Sequence, residues 1–344
     1  MEGDIEGPWY RDNQTNPPFL LTTCFKNLRS LEYRFVSLFP WNLTSLPSHH
    51  YGRSENGWRE LIETYAGSVV VGNAEELFLV WALQPGGRQR KQIRFNTEVP
   101  PITAVAWALS QGEDSLDALL VIAVSRMVCV YSVGKGKVVG FLRGHGGSIS
   151  SIAVHPQTPS HICTTSSDQT ARIYDLDRSP DPKFPQVNPF LVPGTGPSMA
   201  GAPHGIRSAE EEEWTKGLCI AILVGGRSGG HLAAVTCAAF HPTFPLIATG
   251  GMDRVVKIWR LHDYKGQILR EDKPLFSSSL IHRSSVASIV WCVRRSDQVT
   301  SFPWSRQASS RYAPYSLRCH RFLGSQGVAK RATAPRGRRG TYCT

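Results

Sequence analysis

"GHGGSISSIAVHPQTPSHICTTSSDQTARIYDL", residues 144–176, and "GHLAAVTCAAFHPTFPLIATGGMDRVVKIWRL", residues 230–261, carry the same parts in the same order. Each opens on Gly-His and alternates apolar with small or polar residues up to His-Pro. A second apolar stretch then leads to an Asp turn, and a third ends in an aromatic. The spacings agree: His145 to His155 and His231 to His241 are both ten residues, and Asp168 to Tyr174 and Asp253 to Trp259 are both six. Period-two patterning over short runs with turn residues between them predicts antiparallel strands. A unit of this size cannot bury both faces of its own sheet, so its repetition predicts a stacked array.

The unit has the pattern of a WD-type β-propeller blade, and weaker copies flank the two strong ones. "SVVVGNAEELFLVWAL" (68–83) and "ALLVIAVSRMVCVYSVGKGKVVGFLRGH" (118–145) keep the paired strands and the aromatic, Trp81 or Tyr131, with Glu75 and Ser125 where the Asp belongs. "PLFSSSLIHRSSVASIVWC" (274–292) begins a further copy at His282 and then loses the pattern. The expectation is an all-β WD40 propeller of about four blades, incomplete, over residues 35–293. Residues 1–34 are read as an N-terminal extension. The Pro- and Gly-rich stretch 177–217, with its acidic run, is read as a long, mobile inserted loop, and residues 294–344 as an irregular basic tail.

His145, Ser166 and Asp168 raise the alternative of a Ser-His-Asp hydrolase. A catalytic triad needs an exposed nucleophile beside an oxyanion hole, and no G-x-S-x-G elbow is present. The second copy keeps His231, Asp253 and Trp259 but has Gly251 at the place of Ser166. The expectation is therefore a structural polar network, His145–Ser166–Asp168–Tyr174 in one blade and His231–Asp253–Trp259 in the next. Each member satisfies a neighbour that would cost about 1–3 kcal/mol if buried unpaired. No catalytic residue is assigned.

Other function classes lose support from composition and spacing. "CIAILVGGRSGGH" (219–231) places glycines after a strand but lacks the Lys-Ser/Thr and following helix of a phosphate-cradling loop. The eight cysteines form no C-x-x-C pair, so neither a zinc site nor a disulfide framework is expected, and no metal or cofactor. The longest apolar runs are of strand length, and the acidic, polar start predicts an intracellular protein. Of the net charge of +11, residues 294–344 carry +10, so direct nucleic-acid binding, if there is any, belongs to the tail.

Residues 102–156, "GGMDRVVKIWRL" (250–261) and "PLFSSSLIHRSSVASIVW" (274–291) together resemble the embryonic ectoderm development / extra sex combs family, the WD-repeat subunit of Polycomb repressive complex 2. The resemblance spans roughly residues 35–293. It implies a nuclear, non-catalytic, seven-bladed propeller acting in chromatin silencing, of which this chain holds a truncated version, fungal-like or otherwise divergent. One face would hold a helix of the histone methyltransferase catalytic subunit. On the other, an aromatic cage would receive trimethyl-lysine of the histone H3 tail by cation–π attraction. Phe35 is the one cage position carried over. Thr103 stands where the family has an aromatic, and the remaining cage blade has no counterpart, so the cage is expected to be incomplete. The abrupt loss of pattern after Cys292 reads as an alternative carboxyl end or a mistaken gene model. A WD scaffold outside chromatin is the alternative within the same class.

Overall fold

The strand-forming runs assemble into successive four-stranded antiparallel sheets, each built in chain order from its inner to its outer strand. A computed structural model describes residues 33–44, 55–81, 89–94, 101–111, 116–179, 216–224, 229–266, 268–293 and 315–321. Blade 1 contains β1 (Phe35–Leu38), β2 (Ser68–Gly72), β3 (Glu76–Trp81) and β4 (Gln89–Arg94), with helix α1 (Glu55–Tyr65) between β1 and β2. Blade 2 contains β5 (Ile102–Gln111), β6 (Leu116–Val124), β7 (Met127–Ser132) and β8 (Lys137–Leu142). Blade 3 is β9 (Ile149–Val154), β10 (His161–Ser166), β11 (Ala171–Asp175) and β12 (Leu218–Leu223).

Blade 4 departs from the simple order. After β13 (Val235–Phe240), β14 (Leu246–Gly251) and β15 (Val256–Arg260), the chain crosses to blade 3, where β16 (Leu269–Glu271) pairs parallel with β12. It then returns as β17 (Phe276–Ser278), the outer strand of blade 4. This strap covers an edge of blade 3 that would otherwise expose unpaired backbone groups. β18 (Val286–Val293) opens a fifth sheet and pairs antiparallel with β19 (Tyr315–Arg321), which lies in the segment read from sequence as a tail without blade pattern.

The cores lie between sheets, and period two divides each central strand between two of them. On β6, Leu120, Ile122 and Val124 join the core shared with blade 1, whereas Leu119, Val121 and Ala123 join the core shared with blade 3. All six are at most 1% exposed, which is why the run reads as continuously apolar instead of alternating with polar residues. The same division puts Ile162 and Tyr174 on one side of blade 3, and Cys163 and Ile173 on the other. Val286 and Ile289 of β18 then pack on Ala248 and Val256 of blade 4. Gly250 permits this approach, since a Cβ there would lie 2.6 Å from Val286 and 2.8 Å from Ile289.

Helix α1 was not anticipated from the strand pattern. It buries Trp58, Leu61 and Ile62 in the first core, at the i, i+3, i+4 spacing of an amphipathic helix. The inserted segment leaves and rejoins the blade at one point, because the Gly217 amide donates to the Arg178 carbonyl at 2.8 Å. The expectations for residues 180–215 and 1–32 lie outside the described residues.

Candidate functional site: the histidine and aspartate turns

Antiparallel order puts two kinds of turn at the same end of every blade, here termed the upper end: the β10–β11 type and the connection from one blade's outer strand to the next blade's inner strand. In blade 3 this brings His145 to Asp168. His145 Nδ1 lies 2.9 Å from Asp168 Oδ2, and the same oxygen accepts from the Gly146 amide at 2.8 Å. Asp168 Oδ1 accepts from the Thr170 amide at 2.9 Å and the Thr170 hydroxyl at 2.7 Å. Four donors therefore converge on one carboxylate. Burial opposes its ionisation, but the donors from His145 and Thr170 outweigh burial and hold the carboxyl down at about 2. Burial pushes the imidazole the other way, below its ordinary value. The neutral ring donates from Nδ1 to Asp168, and Nε2 accepts from the Thr164 hydroxyl at 2.7 Å, a tautomer assigned from the network.

Blade 4 repeats the arrangement. His231 Nδ1 is 2.9 Å from Asp253 Oδ2, which also accepts from the Leu232 amide at 3.0 Å, while Oδ1 accepts from the Val255 amide at 3.1 Å. Thr249 Oγ1 sits 2.8 Å from His231 Nε2 and accepts from Trp259 Nε1 at 2.8 Å. The series therefore runs Trp259 to Thr249 to His231 to Asp253, with the Asp253 carboxyl also lowered: burial opposes its charge, and the His231 and amide donors prevail.

The sequence reading put the hydroxyl in the wrong place. Ser166 does not bond to His145; its hydroxyl donates to the Gly147 carbonyl at 2.9 Å and accepts from the Asp168 amide at 3.2 Å. The partner of the histidine is Thr164 or Thr249, two residues earlier, because the imidazole reaches past the strand end to the next residue on that face. Both copies thus have the hydroxyl, and Gly251 replaces nothing. A Cβ at Gly251 would lie 2.9 Å from Asp253 Oδ1 and 3.0 Å from His231 Nδ1, so glycine leaves room for the pair. Tyr174, placed like Trp259, sends its hydroxyl to the Arg143 carbonyl at 3.4 Å.

Nothing in this geometry activates a nucleophile. Ser166 is fully buried and lacks the hydrogen bond to a base that the hydrolase reading requires. Burial also pushes up the thiols of Cys129 to about 12 and of Cys219 and Cys237 to about 11, and raises that of Cys163 further, so all four stay protonated at neutral pH.

Sequence reasoning missed several other turn-holding groups. In blade 1, Asn73 Oδ1 accepts from the Glu75 and Glu76 amides at 2.8 and 2.9 Å, doing locally what Asp does elsewhere. The His-Pro histidines close the lower turns: His155 Nδ1 accepts from the amides of Gln157 and Thr158, and His241 Nδ1 from those of Thr243 and Phe244. Asp117 accepts from the Ser132 hydroxyl at 2.8 Å.

Phe35 is half-buried against the first core, and Thr103 is half-buried with its hydroxyl 3.4 Å from the Ala123 carbonyl. The aromatic group nearby is packed, not open. Phe39 meets Trp41 and Trp107 edge-on, each with centroids 5.2 Å apart, and all three are at most 8% exposed. At the lower end, between blades 3 and 4, a cleft of about 330 Å³ has an apolar floor that includes Ile173, Leu223, Phe240 and Leu269. At its rim Arg178 pairs with Asp175 at 2.9 Å, and His262 Nε2 lies 3.4 Å from Glu271.

The WD domain, G-beta repeat family model matches residues 136–175 and 219–260, the stretches that carry these turns. Polycomb group protein FIE1 of Zea mays is 27% identical over 161 residues, 46% of this chain and 26% of that protein. Polycomb protein EED of Chaetomium thermophilum is 29% identical over 168 residues, 48% of this chain and 23% of that protein. The matches thus span about a quarter of each relative's own length. A chain of the solved Chaetomium thermophilum Polycomb Repressive Complex 2 bound to GSK126 superposes with a TM-score of 0.52 at 20% identity, covering 86% of this chain and 62% of that one, a likeness of fold. Blades, turns and relatives agree: the chain carries WD repeats folded as propeller blades and is similar to the Polycomb EED and FIE proteins.

Proposed function

We propose that the chain is a non-catalytic scaffold subunit of a Polycomb repressive complex 2-like histone methyltransferase complex, acting in chromatin silencing in the nucleus. The observation that carries this reading is the repeated, buried His–Asp–Thr network. Its polar groups are consumed in holding turns, so the blades offer surfaces and not a reaction centre. Similarity to EED and FIE proteins over nearly half of the chain supports the choice of complex. The partner is the catalytic subunit of the methyltransferase, contributing a helix to one face. The lower cleft between blades 3 and 4, apolar at its floor and polar at its rim, suits the apolar stripe of such a helix. Trimethyl-lysine recognition is weak or absent, since Thr103 supplies no π face and Phe35 packs on the core.

Co-expression with the catalytic subunit of such a complex, followed by affinity purification, tests the reading. Co-purification that is lost when Leu261→Asp, at a half-buried position lining the cleft, leaves the circular dichroism unchanged is expected. A chain that folds, localises outside the nucleus and never co-purifies with a methyltransferase subunit overturns it.

A further inference from the structure

The upper face carries an unbalanced charge. From blade 2 to blade 5, its described loops hold Arg126, Arg143, Arg254 and Arg283, placed by the β6–β7 turn, the β8–β9 connection, the β14–β15 turn and the β17–β18 connection. Arg126, Arg254 and Arg283 are exposed and Arg143 is half-buried. The described carboxylates at this end of blades 2–5 are Asp168 in the β10–β11 turn and Asp253 in the β14–β15 turn, whose side chains are only 1% and 7% exposed, and Asp272, which follows β16 and is paired with Arg270 at 2.8 Å. Asp168 and Asp253 face inward and are saturated by donors. No ion pair with a described carboxylate involves any of the four arginines. The face thus presents guanidinium groups that fit carboxylates bidentately and that nothing described neutralises.

Apolar side chains stand among them. Leu232 is 73% exposed, Met252 60% and Leu280 95%, all at the upper end of blade 4. The first two are neighbours, because the Met252 amide donates to the Ala234 carbonyl and the Leu232 amide to Asp253. Leu280 follows Ser278, which pairs with Val256 at the top of β15. No aromatic residue occurs in these loops to offer a stacking platform for bases. Aliphatic side chains flanked by arginines match a polypeptide instead of a nucleic acid.

We propose that the upper face of blades 2–5 docks an acidic segment of a partner polypeptide, in which Asp or Glu side chains flank a leucine-like residue. The acids pair with Arg126, Arg143, Arg254 and Arg283, and the apolar residue covers Leu232 and Met252. A basic tail would meet four like charges there. The site lies at the end of the blades opposite the cleft and does not depend on the proposed complex.

The test uses the full chain and a fluorescein-labelled peptide, (Glu-Glu-Leu-Gly)3, read by fluorescence anisotropy against its (Gln-Gln-Leu-Gly)3 counterpart and a 20-nucleotide single-stranded DNA. Because residues 294–344 attract any polyanion, the readout is the difference made by face variants. Arg254→Gln/Arg283→Gln is expected to weaken acidic-peptide binding about tenfold in 0.05 M NaCl, and much less in 0.5 M, where charges are screened. Leu232→Ser/Met252→Ser should weaken the peptide at least about threefold and leave the DNA unchanged, as burial of one aliphatic contact predicts. All four positions lie in turns or connections at the upper end, outside the strands, and unchanged circular dichroism checks the fold. Equal binding of the Glu and Gln peptides, or no loss in the arginine variant, overturns the proposal. DNA binding that falls with the arginines while the Leu232/Met252 variant leaves the peptide unaffected also overturns it, and assigns the face to nucleic acid.

Discussion

Thr249→Val is the sharpest perturbation the network allows. Valine keeps the shape and volume of threonine and its preference for strands, so the change is confined to one hydroxyl. That hydroxyl serves two buried partners, His231 Nε2 and Trp259 Nε1, each at 2.8 Å. Trp259 is 1% exposed and His231 2%, so water does not replace the lost oxygen. Two buried groups left unsatisfied at about 1–3 kcal/mol each give an expected loss of about 2–6 kcal/mol. Urea unfolding followed by tryptophan fluorescence reads this as a midpoint lower by roughly 0.7–2 M, taking a slope of about 3 kcal/mol per M. Trp259→Phe alone, and combined with Thr249→Val, completes a double-mutant cycle with an expected coupling of about 1 kcal/mol. Ser166→Ala should also act on stability alone, by about 1–3 kcal/mol, because it takes the hydroxyl partner from the Gly147 carbonyl and the Asp168 amide. If Thr249→Val lies within about 0.5 kcal/mol of the parent while Ser166→Ala abolishes a hydrolytic activity, the structural account of the network is wrong.

Stability should respond to acid in two stages, measurable as urea midpoints across pH. Burial places the His145 pKa in the folded chain below its unfolded value of about 6.5, so its contribution is complete above that pH and is lost below it, at up to about 1.4 kcal/mol per pH unit. Asp168, held at about 2, adds stability above about pH 4 that disappears as the pH falls toward 2. Gly250→Ala should cost about 1–3 kcal/mol and speed amide exchange in β18, since the new methyl meets Val286 and Ile289. Trimethylated and unmodified histone H3 peptides should bind alike in a calorimetric titration, the loss of two or three cage faces removing about 2–4 kcal/mol; clear micromolar discrimination would show a rebuilt cage.

The repeat was legible because its polar residues sit at turns, where register is fixed, and its apolar residues alternate. Ten-residue and six-residue spacings were enough to place β9–β11 and β13–β15. What escaped has a common physical cause: it depends on which side chain reaches which atom across strands. Thr164 and Thr249 look like ordinary strand threonines, and Ser166 beside Asp168 looks like the better partner, until the imidazole is seen to reach two residues down the face. Strand β16 is three residues long and pairs with a sheet formed about fifty residues earlier, so no local pattern announces it. Helix α1 carried a readable amphipathic spacing at Trp58, Leu61, Ile62 and Tyr65 that strand-seeking overlooked.

The same chemistry that makes the motif readable also decides what the blades do. A histidine and an aspartate within hydrogen-bonding distance suggest catalysis only while they have spare valence and access. Here Asp168 accepts four donors and His145 uses both ring nitrogens, leaving neither a lone pair nor a proton for substrate. Saturation of this kind fixes the turns rigidly, since each buried group would be costly to release. Rigid turns in turn hold Arg254, Met252 and Leu232 at defined positions on either side of Asp253, whose carboxylate takes the Leu232 and Val255 amides. The buried pair therefore does no chemistry of its own, and its contribution to function is the fixed geometry of the exposed residues it holds, which is what recognition of a partner polypeptide requires.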